Sequence, residues 1–132
     1  MDLFNIINEL EARADTARAL DMSRYMKNRF PFLGIQAPIR DEICKPYFKD
    51  AKKEKKIDWD FVEYCWQHEK RECQYIAAHY LKSLQKFLEI TDFEKLKKLV
   101  IKKSWWDTVD ILDRIIGSLI YRDETLKKEI LK

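Results

Sequence analysis

Turn-forming residues are scarce in this chain, with only 2 glycines and 3 prolines among 132 residues. A β-sandwich needs a turn roughly every ten residues, and turns draw heavily on both residue types. A chain without them, rich in Leu, Ile, Lys and Glu, is left with helices in series. The apolar spacing agrees. Leu3, Ile6, Ile7, Leu10 and Ala14 recur at helical intervals and predict a helix over 2–13. A second is expected from Thr16 to Arg29, with Ala17, Leu20, Met26 and Phe30 apolar, until Pro31 and Gly34 break it. Pro38 suits the first turn of a third helix, 38–53, which Pro46 should kink or split. Asp58 is a good N-cap for a fourth, from Trp59 to His68, carrying Phe61, Val62, Cys65 and Trp66. The fifth runs from Arg71 to Phe87. Thr91-Asp92-Phe93-Glu94 reads as a capping box that opens the sixth, with Leu96, Leu99 and Val100 as its core. A seventh starts at Ser104 and stops near Gly117, and a last one covers 123–132.

About eight short helices with short loops and no sustained strand alternation predict an all-α fold. The expected architecture is an α-solenoid of antiparallel helix pairs, one domain over 1–132. No repeat period stands out, so the repeats are degenerate. The final helix, Thr125 to Lys132, has no polar cap, which predicts an open C-terminal end available for self-association.

Composition narrows the chemistry. Hydrophobic residues make up 46% and charged residues 37%, a globular balance. The formal charge of +3 is a weak pull toward anions. Lysines gather at 45, 49, 52, 53, 55 and 56, and again at 95, 97, 98, 102 and 103. Such groups are more often solvated helix faces, although two of them on a helical array can track a phosphate backbone. Three cysteines, Cys44, Cys65 and Cys73, without a CxxC, argue against a disulfide framework. Cys65, His68 and Cys73 match no common zinc spacing, and His68 and His79 read as structural, so no metal and no cofactor is expected. No stretch approaches the ~20 apolar residues of a membrane span. Met1-Asp2-Leu3-Phe4 lacks the basic start of a signal peptide, which predicts a cytoplasmic protein without membrane contact.

The densest chemistry lies in Lys103-Ser104-Trp105-Trp106-Asp107-Thr108-Val109-Asp110. With Ser104 as N-cap and Asp107 three residues on, a helix begins here. At 100° per residue, Trp105, Val109, Leu112 and Ile116 fall within about 60° and form a core face. Trp106, Asp110, Asp113 and Gly117 fall on a separate stripe, and Asp107 points away from both the stripe's centre and the core. Gly117 would let something large approach the stripe. Asp110 reads either as half of a surface ion pair with Arg114, worth ~0.3–0.5 kcal/mol, or as a functional carboxylate beside a displayed Trp. A tryptophan next to an acid can hold a sugar, a cationic ligand or a stacked base. Asp113 reads as an exposed or lysine-paired residue. No Ser-His-Asp order, phosphate-binding glycine loop or HExxH is present.

These eight residues resemble the KSWWDxVD signature of the AlkD-type DNA alkylation repair enzymes, which are glycosylases built from HEAT-like repeats. Two further blocks resemble the family in the same order. The first is Arg24-Tyr25-Met26-Lys27-Asn28, followed by Phe32-Leu33-Gly34-Ile35, Pro38 and Arg40. The second is Trp66, followed by Arg71-Glu72, Gln74-Tyr75 and Ala77-Ala78. The resemblance runs from about residue 20 to about residue 120. It implies a HEAT-like α-solenoid, of which this chain would be the N-terminal portion. The family's cleft also uses an arginine and a further tryptophan from its second half, and Asp41 stands where the family often has a basic residue.

The implied reaction is hydrolysis of the N-glycosidic bond of a cationic N3- or N7-alkylated purine in double-stranded DNA. The resemblance carries the catalytic carboxylate to Asp110 and a sugar-packing face to Trp106, with Tyr25 as a third wall. It carries DNA contacts to Tyr25, Lys27, Gln36, Arg40, Lys102 and Lys103. The alternative is a helical-repeat module that binds DNA or protein through the same face without chemistry.

Overall fold

Apolar residues three and four apart wind this chain into helices, which the computed structural model describes over residues 1–122. They are α1 (Asn5–Glu11), α2 (Thr16–Tyr25), α3 (Ala37–Ala51), α4 (Trp59–Gln67), α5 (Arg71–Ser83), α6 (Phe93–Ile101) and α7 (Trp106–Arg122). Short 3-10 turns follow α3 and α5 and precede α6. No strand occurs among the described residues. The helix expected over 123–132, and the open end expected there, lie outside them. No described helix is long and apolar enough to cross a membrane.

The helices stack as pairs. α4 packs on α5, α6 packs on α7, and α5 packs against α7, so α5 and α7 form one layer while α4 and α6 form the other. α1 and α3 extend the stack at the N-terminal side, with α3 against α5. Ile6, Leu10, Phe61, Ile76, Leu96 and Leu112 are sealed from solvent and tie every layer into one core. Polar groups lock the joins. The Gln74 side-chain amide donates to the carbonyls of Cys65 and His68, both at 2.8 Å, and so caps the end of α4 from within α5. The Trp66 Nε1 donates to the Lys102 carbonyl at 2.8 Å, which joins α4 to the end of α6.

Local signals set several boundaries, those at Asp58 and Pro38 as expected. The Asp15 and Asp58 carboxylates each accept a backbone N–H three residues on, from Arg18 and Phe61, both at 3.0 Å. Pro38 occupies the first turn of α3.

Other boundaries differ from the expectations. α1 is shorter than 2–13. α3 runs through Pro46 as one helix, because Pro46 lies on the solvent side, where water can serve the carbonyl that lost its partner. α2 ends at Tyr25, not Arg29, since Lys27 and Asn28 adopt left-handed φ values of 56° and 58°. It buries none of its residues, and Leu20, expected in the core, is 54% exposed. α5 stops at Ser83 and gives way to a 3-10 turn before Phe87. The capping box uses Glu89 and Asp92 instead of Thr91 and Glu94, and it precedes α6 by a 3-10 turn. α7 does not stop at Gly117. One glycine costs a helix only ~1 kcal/mol, and burial of Ile115 and Leu119 on either side of it outweighs that. Arg122 then anchors the far end of α7 through carbonyl bonds to Gln85 and Leu88 at 3.0 and 2.7 Å.

Candidate active site

Two adjacent residues of opposite charge, Arg71 and Glu72, open α5, and both are sealed from solvent. Burying a charge is costly unless it is paired and hydrogen-bonded, so each must find partners. Glu72 reaches back along the chain. Its carboxylate accepts the N–H groups of Leu33 at 2.9 Å, Gly34 at 2.9 Å and Ile35 at 3.1 Å. This pins the 32–36 segment in a conformation that only glycine tolerates at its centre. Gly34 has φ +94°, and a Cβ there would lie 2.0 Å from the Asp15 carbonyl oxygen.

Arg71 reaches forward. Its guanidinium donates to Asp107 at 2.6 Å, to the Lys103 carbonyl at 2.9 Å and to the Thr108 hydroxyl at 3.1 Å, while Phe30 covers its face at 3.8 Å. The Tyr75 hydroxyl, one turn along α5, donates to the other oxygen of Asp107. Burial, and then this bond to Asp107, hold the Tyr75 phenol well above its usual pKa.

These clamps correct the expected geometry of α7. Its buried positions are Thr108, Leu112, Ile115 and Leu119, a face rotated by about 60° from the one built on Trp105, Val109, Leu112 and Ile116. Thr108 is polar and did not count toward an apolar stripe, yet Arg71 supplies the donor that lets it be buried. The rotation turns Asp107 toward α5. The expected Ser104–Asp107 cap is replaced. The helix opens at Trp106, the Trp105 carbonyl takes the first helical bond from Val109 at 3.1 Å, and Asp107 serves Arg71 and Tyr75 instead. Trp105 is half-buried beneath the Arg29 guanidinium at 4.0 Å, at the margin of the core and not within it.

The clamped elements enclose a cleft of about 550 Å³ between α2, the 32–36 segment, α5 and the start of α7. Tyr25, Phe32, Tyr75 and Trp106 give it aromatic walls, and Asp15, Arg18, Asp21 and Asp107 line it as well, with Asp107 held by Arg71 and Asp21 3.6 Å from Arg24. Aromatic faces suit a cation or a sugar edge. Trp106 is 55% exposed and Tyr25 76% exposed at its mouth. Asp110 lies one turn beyond Trp106 on the same face of α7. It is exposed and makes no hydrogen bond or ion pair with any described residue, Arg114 included. Asp113 and Gly117 continue this exposed stripe, and a Cβ at Gly117 would meet nothing within 4 Å.

The other sequence-predicted residues fall in three places. Gln36 lines the cleft, and exposed Lys27 follows α2 at its rim. Arg40 is interior, only 7% exposed, with its guanidinium 4.9 Å from the Tyr75 ring centre and its Nε unpartnered. Burial pulls its pKa below the ordinary arginine value. Lys102 and Lys103 border a separate groove between α4 and α6, in the other layer. The Lys103 ammonium donates to the His68 carbonyl at 2.6 Å. His68 itself accepts the Lys70 N–H at Nδ1, a structural role. Cys44, Cys65 and Cys73 are free, buried thiols. Among the described residues no cluster of His, Cys, Asp and Glu has metal-holding geometry.

A family model for the DNA alkylation repair enzymes matches residues 6–132. The fold is similar to the solved structure of a predicted DNA alkylation repair enzyme from Enterococcus faecalis, at 29% identity and a TM-score of 0.74. That match covers 85% of this chain and 53% of the other, so the chain spans about half the length of this relative. No curated protein matches it significantly.

Proposed function

Because the chain belongs to the family of DNA alkylation repair enzymes, we propose that it is a DNA glycosylase that releases cationic N3- or N7-alkylated purines from duplex DNA. The observation that carries this reading is the exposed pair on α7. An unpaired carboxylate, Asp110, stands one turn from a displayed indole, Trp106, at the mouth of an aromatic-walled cleft. A carboxylate kept for a surface ion pair has no need of that neighbour, and Asp110 makes no such pair.

The chemistry follows from charge. In an alkylated purine the base already carries a positive charge. When the C1′–N bond breaks, its electron pair stays with the base, which leaves neutral, and positive charge develops on the deoxyribose. A water oxygen then bonds to C1′ and loses a proton. Asp110 stabilises the sugar cation and orients that water, while Trp106 packs its π-face against the sugar. A carboxylate 4 Å from the developing charge contributes ~4 kcal/mol at an effective dielectric near 20, a value that applies once DNA covers the site. That is roughly a thousandfold in rate. Tyr25 and Gln36 form the opposite wall, and Lys27 contacts the phosphate backbone, giving salt-dependent binding.

The test is single-turnover release of 7-methylguanine from alkylated duplex, followed by chromatography. Asp110→Asn is expected to slow release about a thousandfold while duplex affinity changes by less than about threefold. Release that is unchanged in Asp110→Asn refutes the catalytic assignment. Duplex binding by the unaltered chain without any base release refutes the enzymatic reading and leaves a DNA-binding module.

A further inference from the structure

A notch of about 100 Å³ opens between α5 and α7, two helices that pack directly on each other. Lys82 and Gln85 line it from the end of α5 and the turn that follows, and Arg114 and Ser118 line it from α7, with Ile111 at its side. No carboxylate among the described residues lines it. Asp110 stands one turn before Arg114 on α7, yet the two make no ion pair, and Lys82 makes none with any described residue. The side chains of Gln85 and Ser118 make no hydrogen bond to any described residue either. Two cations therefore share one small notch without a counterion, beside an amide and a hydroxyl that the fold does not use. Like charges brought together repel, and an anion between them removes that repulsion.

The size and the place of the notch select the anion. A water takes up about 30 Å³ in the liquid, so the space is that of about three waters, enough for one tetrahedral oxyanion and too little for a sugar or a base. A guanidinium, an ammonium and a hydroxyl are the donors that meet phosphate oxygens where proteins hold DNA. Arg114 and Ser118 follow Trp106 and Asp110 along α7, about 6 and 12 Å beyond Asp110 at 1.5 Å per residue. Each nucleotide of a strand adds about 3.4 Å along a duplex, so a strand with its sugar at Asp110 brings a phosphate about two to four nucleotides away over the notch.

We infer that the α5–α7 notch seats one backbone phosphate of a DNA strand near the sugar that Asp110 faces, with Lys82 and Arg114 neutralising it and Gln85 and Ser118 donating to its free oxygens. The seat fixes which nucleotide comes to Asp110, and so sets the register of the strand along α7. This rests on α7 being the DNA-facing helix, as in the glycosylase reading, but it requires no base release.

The probe is an undamaged, fluorescein-labelled duplex, titrated with the whole chain at several salt concentrations and read by anisotropy. Losing one neutralised phosphate makes the slope of log K against log salt shallower by about 0.9. The double variant Lys82→Gln/Arg114→Gln is expected to show that change and to bind about tenfold more weakly. Ser118→Glu, which lends the notch a carboxylate from its own wall, is expected to weaken binding by a similar factor. The double variant Lys95→Gln/Lys98→Gln removes the same charge from exposed positions of α6, in the other layer. It is expected to bind within about twofold of the unaltered chain. Far-UV circular dichroism checks that the variants keep their helices. The inference is overturned if the duplex does not bind saturably, if the two double variants weaken it equally, or if Ser118→Glu binds as the unaltered chain does. Inorganic phosphate, titrated by NMR, tests for a free-ion site: saturable shifts at Ser118 with an unchanged duplex salt slope in Lys82→Gln/Arg114→Gln overturn the DNA assignment. Base release is scored separately. The expected slope change without release of 7-methylguanine strikes the glycosylase reading and leaves the phosphate seat, whereas release with an unchanged slope strikes the seat alone.

Discussion

Asp107→Asn removes one negative charge from the most enclosed ion pair among the described residues. Its side chain is 10% exposed and that of Arg71 is 0% exposed, with 2.6 Å between the bonded atoms. At an effective dielectric of 20, that separation gives a gross attraction of about 6 kcal/mol, much of it offset by the cost of taking both ions out of water. The substitution removes the attraction and leaves the cost. Asparagine keeps the shape, and Arg71 keeps the Lys103 carbonyl, the Thr108 hydroxyl and the Phe30 face, but its charge stays buried without a counterion. The expected loss is about 3–5 kcal/mol, which is a large part of the 5–15 kcal/mol that holds a typical domain. Urea denaturation reads it. With a slope of about 1.5 kcal/mol per molar, the midpoint falls by about 2–3 M. Arg71→Met removes the buried cation, so the double variant Arg71→Met/Asp107→Asn should lose less than the sum of the two single changes, by at least about 1 kcal/mol. A loss below about 1 kcal/mol for Asp107→Asn, or strict additivity in the cycle, would refute the claim that this pair fastens α7 to α5.

Glu72→Gln replaces a carboxylate that accepts three backbone N–H groups with an amide that presents its own N–H to some of them. About 2 kcal/mol of stability is expected to go, with hydrogen exchange accelerated at Leu33, Gly34 and Ile35; unchanged protection there would contradict the clamp. The two glycines should respond with opposite signs. Gly34→Ala forces a Cβ to 2.0 Å from a backbone oxygen at φ +94° and should cost about 3 kcal/mol or more, whereas Gly117→Ala enters open space on a helix and should add about 0.5–1 kcal/mol, both read as shifts in Tm. Burial raises the Cys44 and Cys73 thiols from 9.0 to about 12. The stability this confers is complete below the unfolded value near pH 9 and is lost as pH rises toward 12, by about 1.4 kcal/mol per pH unit for each thiol. Urea midpoints that stay level from neutral pH to about pH 11 would contradict this.

The all-helical architecture was legible because scarce turn residues and apolar spacing act locally, and so does the Asp58 cap. The exposed Trp106–Asp110 stripe was legible for the same reason, since one helical turn fixes their relation whatever the helix packs against. The orientation of α7 was not. It depends on Arg71, 36 residues away from Asp107, and a helical wheel drawn on apolar residues cannot count Thr108 as core. The clue was present in Arg71-Glu72 at the head of a helix with apolar residues at Tyr75, Ala78 and Leu81, two charges that such a helix could bury only with distant partners. The bare α2 escaped for a related reason. Its apolar residues are spaced for burial, but α2 forms a cleft wall, and Ala17 and Met22 line the opening instead of the core.

The adjacency of Arg71 and Glu72 also fixes an order of events as the chain leaves the ribosome. The partners of Glu72 lie 37–39 residues before it, and the hydrogen-bond partners of the Arg71 guanidinium lie 32–37 residues after it. Chains emerge from the N-terminus forward as they are made. Everything Glu72 binds is already made when α5 is synthesised, whereas the Arg71 counterion, Asp107, comes with the start of α7. The residues that hold the α2 side of the cleft are thus all made before those that close it.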